Sequence, residues 1–184
     1  TLLNALMGEK LAIVSPKVQT TRHRIKGILT DDNYQIIFSD TPGIIEPKYK
    51  LHEKMMKAVK DSLEDADVAL LIVDIKDDLA ETDEIFSSLS LRVPAIVVLT
   101  KIDVADKKKI EEAIGFFSEK NYCKKIISIS ALRKTGINDL LDEIISLLPE
   151  GEPFYQDDNL SDLPMKFFVG EIIREKIFYL YQDE

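Results

Sequence analysis

Tyr34-Gln35-Ile36-Ile37-Phe38-Ser39-Asp40-Thr41-Pro42-Gly43 is the stretch on which the reading of this chain turns. Ile36, Ile37 and Phe38 make a short apolar run of the kind a buried strand in a parallel sheet carries. The run leads straight into Asp40. An acid at the carboxyl end of such a strand points into the crevice where open α/β sheets bind ligands. Pro42 fixes its own φ and removes a donor. Gly43 has no Cβ, so its N–H can approach a ligand closely. An acid for a metal and a bare N–H for a phosphate oxygen are two parts of a phosphoryl-transfer site. Alone, the stretch is equally well a strand followed by a turn, and the weight falls on its surroundings.

Upstream, Ile25 to Thr30 and Tyr34 to Ser39 flank Asp31-Asp32-Asn33, which predicts a hairpin. Lys10 to Arg24 is polar and irregular. A loop of that length in a compact domain is functional or disordered. Thr1 to Met7 has helix spacing, with Leu2, Leu3, Leu6 and Met7 on one face, and Gly8 is its natural C-cap. No capping signal precedes Leu2, so the chain is expected to enter this helix already in progress. Downstream, after a second irregular stretch from Ile44, a helix is predicted from Leu51 to Glu64. Val68 to Val73 is a continuous apolar run ending at Asp74. A helix over Glu81 to Leu91 leads to a strand, Ala95 to Leu99, that ends at Thr100-Lys101-Ile102-Asp103. A helix over Lys107 to Lys120 leads to a strand, Lys125 to Ile129, that ends at Ser130-Ala131-Leu132. Gly136 to Leu148 is an amphipathic helix. The alternation predicts an α/β fold: a mainly parallel sheet with helices on both faces, right-handed crossovers, and one antiparallel edge from the hairpin. Pro149 to Pro164 has the acidic, proline-containing composition of a linker. Met165 to Tyr181 resumes apolar periodicity.

Composition narrows the class. The 184 residues suffice for one full domain and a fragment of a second. A net charge of −9 argues against a broad nucleic-acid-binding face on this stretch. The single cysteine, Cys123, excludes an internal disulfide and fits a reducing compartment. His23 and His52 are too isolated for a metal site. No apolar run approaches the roughly 18 residues of a membrane span, and the first residues carry no signal-peptide pattern.

Three polar clusters now stand at strand ends: Asp40 to Gly43, Thr100 to Asp103, and Ser130 to Leu132. In one parallel sheet those ends share an edge. The Asp103 carboxylate can accept from two adjacent N–H donors, the exocyclic amine and ring N1 of guanine; adenine lacks that pair. The stem of Lys101 can lie over a flat ring. The N–H of Ala131 can meet an exocyclic oxygen. Asp40 can hold Mg²⁺ through water, with a threonine hydroxyl completing the shell.

Asp-Thr-Pro-Gly, Thr-Lys-Ile-Asp and Ser-Ala-Leu in this order resemble three signatures of translation-factor-class GTPases. The run Ser15-Pro16-Lys17-Val18-Gln19-Thr20-Thr21-Arg22-His23-Arg24 narrows the resemblance to the Era family. Pro153 to Asp162 and Glu171-Ile172-Ile173-Arg174-Glu175-Lys176 support it, being similar to that family's interdomain linker and the start of its KH domain. A related GTPase of the tRNA-modification or double-G-domain type is the alternative. So is an RNA-docking assembly factor with an impaired nucleotide site.

The resemblance implies a P-loop G domain over 1–148, a linker over 149–166 and the start of an α+β KH domain over 167–184. It implies GTP and GDP as ligands with Mg²⁺ held at Thr21 and Asp40. Thr41, Pro42, Gly43, Thr100, Lys101, Asp103, Ser130, Ala131 and Leu132 join Asp40 in the nucleotide site. Thr21 and Gly43 would contact the γ-phosphate and relax on its loss. The implied partners are small-subunit ribosomal RNA and the small ribosomal subunit, which the protein assists in assembling. The implied setting is cytoplasmic, as a monomer, with peripheral association with the inner membrane surface left open. The family's phosphate loop, Gly-x-x-x-x-Gly-Lys-Ser, would end one residue before Thr1, and the KH domain's Gly-x-x-Gly loop would follow Glu184. Residues 1–184 by themselves are therefore expected to bind GTP very weakly or not at all and not to hydrolyse it. Thr100 stands where the family has asparagine, and Ile44 where many GTPases place a water-orienting glutamine. Lys10 to Arg24 and Ile44 to Lys50 are expected to be the least ordered parts without nucleotide.

Overall fold

The computed structural model describes residues 2–14, 20–21, 23–44, 50–156 and 159–181. Parts of the two expected loops, 15–19, 22 and 45–49, lie outside the described residues, as do Asp157 and Asp158. The elements in chain order are α1 (Leu2–Met7), β1 (Ile25–Asp31), β2 (Tyr34–Asp40), α2 (Lys50–Glu64), β3 (Ala69–Asp74), α3 (Leu79–Ser88), β4 (Ala95–Thr100), α4 (Lys107–Ser118), β5 (Cys123–Ser128), α5 (Ile137–Leu147) and α6 (Met165–Leu180). The chain divides into two compact units, residues 1–62 with 151–184, and residues 63–150.

In the second unit β3, β4 and β5 form a parallel sheet in that order. β4 is central, and Ala95 to Leu99 are fully buried, as a near-continuous apolar strand requires. One face of the sheet presents Ala69, Leu71, Val73, Ala95, Val97 and Leu99 to Phe86 of α3 and to Ala113 and Phe117 of α4. The crossover helices thus bury the face on which they return. α5 starts beside β5: Gly136 has φ 72°, and a Cβ there would lie 2.5 Å from the Ser128 carbonyl oxygen. Only glycine satisfies both conditions. Asp78 caps α3 through the N–H groups of Ala80 and Glu81, and Asp106 caps α4 through that of Lys109. The first cap starts α3 two residues before the expected Glu81. β5 also begins two residues earlier than expected, at Cys123, where the register with β4 shifts between Ala95 and Ile96.

In the first unit β1 and β2 pair antiparallel from Ile25↔Asp40 to Asp31↔Tyr34, leaving Asp32 and Asn33 as the turn. The hairpin was expected to edge the parallel sheet; its hydrogen bonding makes it a separate two-stranded sheet among the described residues. The acidic stretch expected to be a linker is attached to it. The Ile28 N–H donates to the Leu160 carbonyl at 2.9 Å, and the Ser161 hydroxyl donates to the Lys26 carbonyl at 2.6 Å. Lys26 pairs with Asp162 at 2.9 Å. The Gln35 amide accepts from the N–H groups of Phe154 and Tyr155 and donates to the Tyr155 carbonyl.

α6 inverts the usual amphipathic order. Glu171 and Glu175 are 8% and 4% exposed, while Ile172, Ile173, Ile177 and Leu180 are 48–76% exposed. No helix among the described residues is long and apolar enough to cross a membrane.

Candidate nucleotide-binding site

In the second unit the ends of β4 and β5 are hydrogen-bonded into one platform. The Thr100 hydroxyl donates to the Val73 carbonyl at 2.9 Å, and the Ile75 N–H donates to the Thr100 carbonyl at 3.1 Å. Thr100 is thereby fastened to β3. Lys101 then adopts φ 58° and ψ 33°. This left-handed conformation costs a non-glycine residue about 1–2 kcal/mol, and such strain persists where the surroundings impose it. It turns the chain out of the strand and into a single 3-10 turn, Ile102–Val104, which carries Asp103. The Ile102 N–H donates to the Ile129 carbonyl at 3.3 Å, and the Ile129 N–H donates to that of Leu99 at 2.8 Å.

Ser130 is 1% exposed, and its hydroxyl donates to Asp103 Oδ1 at 2.5 Å while accepting from the Arg133 N–H at 3.1 Å. Ser130 and Thr135 exchange two backbone hydrogen bonds of 3.0 Å, closing the loop that holds Ala131 and Leu132. The second carboxylate oxygen of Asp103 and the N–H of Ala131 have no partner among the described residues. Leu132 is 78% exposed. The Lys101 ammonium pairs with Asp74. Burial would push the Asp74 carboxyl up, but the hydrogen bonds from Lys101 and the Lys76 N–H outweigh it and hold it below the usual range. An oriented, half-occupied carboxylate beside an open N–H and a long aliphatic stem can engage a flat ring through two edge donors, one edge oxygen and one face.

In the first unit Asp40 ends β2, and the Thr21 hydroxyl donates to its Oδ2 at a long 3.4 Å. Burial pushes the Asp40 carboxyl up. Thr41 is half-buried, Pro42 fully buried and Gly43 exposed. A Cβ built on Gly43 meets nothing within 4 Å among the described residues, so their packing does not require glycine there. Close approach of a ligand to its N–H does. Ile44 is half-buried. One carboxylate and one hydroxyl form an all-oxygen donor pair. Such a pair fits Mg²⁺, which takes few protein ligands and completes its shell with water and phosphate. A protein-caged metal is a poorer fit, since no group of three His, Cys, Asp or Glu among the described residues could hold one.

Thr21, Asp40, Thr41, Pro42 and Gly43 thus lie in the first unit, and Thr100, Lys101, Asp103, Ser130, Ala131 and Leu132 in the second. Asp74 was missed, although its signal is that of Asp40: an acid at a strand's carboxyl end. Glu171 and Glu175 were missed as buried groups. Their signal is a pair of acids four apart in an otherwise apolar helix.

Comparison with known proteins bears on this geometry. The sequence profile of the family described as "50S ribosome-binding GTPase" matches residues 1–101, just over half of the chain. GTPase Era of Thermoanaerobacter sp. (strain X514) is 45% identical over the whole chain, which covers 62% of that relative. The solved structure of Era in complex with MgGDPNP and nucleotides 1506–1542 of 16S ribosomal RNA superposes with a TM-score of 0.93 at 39% identity, covering all of this chain and 63% of that one. A variant of Aquifex aeolicus Era bound to GDP·AlF4⁻ gives the same TM-score and identity, with 64% of that chain covered. The chain spans just over three fifths of the length of these relatives. The resemblance read from the strand-end motifs is borne out along the whole sequence.

Proposed function

From the premise that the chain belongs to the family of 50S ribosome-binding GTPases, we propose that it is the greater part of a GTP-hydrolysing switch. At the length of its Era relatives this protein binds small-subunit ribosomal RNA and assists assembly of the small subunit. The observation that carries the nucleotide assignment is Asp103, turned by the strained Lys101 and fixed by Ser130 at 2.5 Å. Its carboxylate takes the exocyclic amine and N1 of guanine. The Ala131 N–H takes the exocyclic oxygen, and the Lys101 stem covers one face.

Thr21 and Asp40 hold Mg²⁺, Asp40 through water. When bound, the ion would offset the charge that develops on the phosphate oxygens. Gly43 offers its N–H to the terminal phosphate. Ile44 cannot hydrogen-bond a water, so basal hydrolysis is slow and water positioning comes from another group or a partner. α6, with its exposed apolar face, is the first helix of a KH domain that carries the RNA contacts. The cytoplasm is the expected setting.

The test is displacement of a fluorescent GTP analogue from the protein at the length of its relatives. Discrimination by one charge-assisted donor pair, about 2–3 kcal/mol, should make GTP compete roughly 30–150 times better than ATP. Equal competition by ATP would overturn the base assignment. Binding to an RNA oligonucleotide from the 3′ end of the small-subunit RNA, favoured by GTP over GDP, tests the second half.

A further inference from the structure

The peptide that leads into Thr21 is held by a side chain of α6. Arg174 is bound by Glu171 through both arms of its guanidinium, with Nε donating to Oε1 at 2.9 Å and a terminal nitrogen to Oε2. Both side chains are largely buried, at 18% and 11% exposure, and the guanidinium lies 5.4 Å from the Phe178 ring. A planar guanidinium held on two sides and packed on a ring has little freedom left. Its other terminal nitrogen donates to the Thr20 carbonyl at 2.6 Å.

That carbonyl and the N–H of Thr21 belong to one planar peptide group. Fixing the oxygen fixes the plane from which the Thr21 Cα and side chain depart. The Thr21 hydroxyl then faces Asp40 at 3.4 Å. The same helix face reaches further along the segment. Glu175 accepts from the Val14 N–H at 3.1 Å and from Lys10 at 2.6 Å, and the Tyr179 hydroxyl donates to the Val14 carbonyl at 3.0 Å.

We propose that Arg174, braced by Glu171, is a positioning residue for the metal site: it sets the Thr20–Thr21 peptide and so presents the Thr21 hydroxyl to the cation. The proposal rests on the reading of Thr21 and Asp40 as Mg²⁺ ligands. It also makes the path reciprocal. Any shift of Thr21 on loss of the terminal phosphate strains the Arg174 contact and is felt in α6, since a ligand that favours one arrangement of Thr21 favours the matching arrangement of the helix.

The test uses the protein at the length of its relatives, loaded with a non-hydrolysable GTP analogue, with Mn²⁺ binding followed by electron paramagnetic resonance. Arg174→Ala should weaken Mn²⁺ about tenfold, the loss expected for one charge-assisted hydrogen bond. Affinity for the analogue in EDTA should stay within about twofold, since Arg174 does not touch nucleotide. Arg174→Lys keeps the charge without the fork and should recover part of the loss. Glu171→Gln should act in the same direction and serves if the alanine variant folds poorly. Unchanged Mn²⁺ affinity in Arg174→Ala and Glu171→Gln would overturn the proposal. An equal loss of analogue affinity in EDTA would also overturn it, as the mark of a merely structural role. A wild-type protein that binds no analogue would overturn the GTPase reading itself.

Discussion

Two carboxylates end up at strand ends in different ways. Asp103 is set by the sheet of its own unit: its neighbours Thr100, Ile102 and Ile129 are all tied by backbone hydrogen bonds at the ends of β4 and β5, and Ser130 orients it at 2.5 Å. Asp40 faces Thr21 at 3.4 Å, and Thr21 is placed by a helix more than 150 positions away in sequence. The base-recognition end is thus built from strand geometry that forms whenever the sheet forms. The proposed metal end joins Asp40, at the end of β2, to Thr21, which lies outside any helix or strand and whose preceding peptide is held by α6. A binding determinant that never changes belongs on the first kind of support. A switch element, which must have two arrangements, belongs on the second.

The sharpest way to break this contrast is Asp103→Asn. An amide offers one acceptor and one donor where the carboxylate offers two acceptors. The variant should lose about 2–3 kcal/mol of GTP affinity and gain preference for xanthine nucleotides. Thermal stability should hardly move, because Asp103 is exposed and its lost charge was not holding the sheet. An unchanged ratio of GTP to XTP affinity would remove Asp103 from the base site.

The converse case is Glu175→Gln. The side chain is buried, bonded to the Val14 N–H and paired with a half-exposed Lys10. Replacing charge-assisted bonds with neutral ones should cost about 1–2 kcal/mol of stability. The amide protons nearest Val14 should exchange faster, while guanine selectivity stays the same. Equal effects on both regions would mean that the two are not separately supported.

Acid should sharpen the comparison within the first unit, because its two carboxyls pull in opposite senses. The hydrogen bonds from Lys10 and the Val14 N–H hold the Glu175 carboxyl below its usual range. Its contribution to stability is therefore full above the ordinary glutamate value, near 4.3, and is lost as pH falls through the lowered folded value. Burial raises the Asp40 carboxyl, so its charged form costs stability at neutral pH, and that cost is relieved as pH falls through the raised folded value. Melting followed between about pH 3 and 7 should therefore separate two variants from the parent protein. Asp40→Asn should gain stability at neutral pH, with the gain shrinking as pH falls, and Glu175→Gln should lose stability at neutral pH, with the loss shrinking as pH falls. A gain in Asp40→Asn that does not shrink toward acid would contradict the raised Asp40 carboxyl.

How much was legible in sequence follows the same division. β3 and β4 read directly from Val68 to Asp74 and Ala95 to Leu99, because buried parallel strands are continuous apolar runs bounded by polar ends. Two of the three signature clusters follow β4 and β5, so the candidate base site could be named from the sequence. The role of α6 was not. Glu171, Arg174 and Glu175 look like the polar stripe of a helix, and helical periodicity alone assigns such a stripe to solvent. Arg174 is instead bonded to Thr20, and Glu175 to Lys10 and Val14, more than 150 positions away, which no local pattern encodes. The linker composition misled for the same reason. The stretch is polar and proline-flanked, yet the backbone of Leu160 pairs with β1 and that of Phe154 and Tyr155 with Gln35.

Thr100 gives the smallest expected effect and tests the contrast at one atom. By resemblance, asparagine is the usual residue at this position, and a hydroxyl in place of its amide implies modestly weaker base binding. In the structure the Thr100 hydroxyl is committed to the Val73 carbonyl at 2.9 Å, tying the end of β4 to β3. Its role is then to hold the platform, which leaves Lys101, Asp103 and Ala131 as the proposed base contacts. Thr100→Val keeps the shape and removes the hydroxyl. It should cost about 1 kcal/mol of stability for one neutral hydrogen bond. The GTP-to-ATP preference should stay within about twofold, because the donor pair read by Asp103 is untouched. Melting temperature and competition binding on the same protein separate the two quantities. A loss of guanine preference with unchanged melting would put Thr100 in contact with the nucleotide and take the fastening of β4 to β3 away from its hydroxyl.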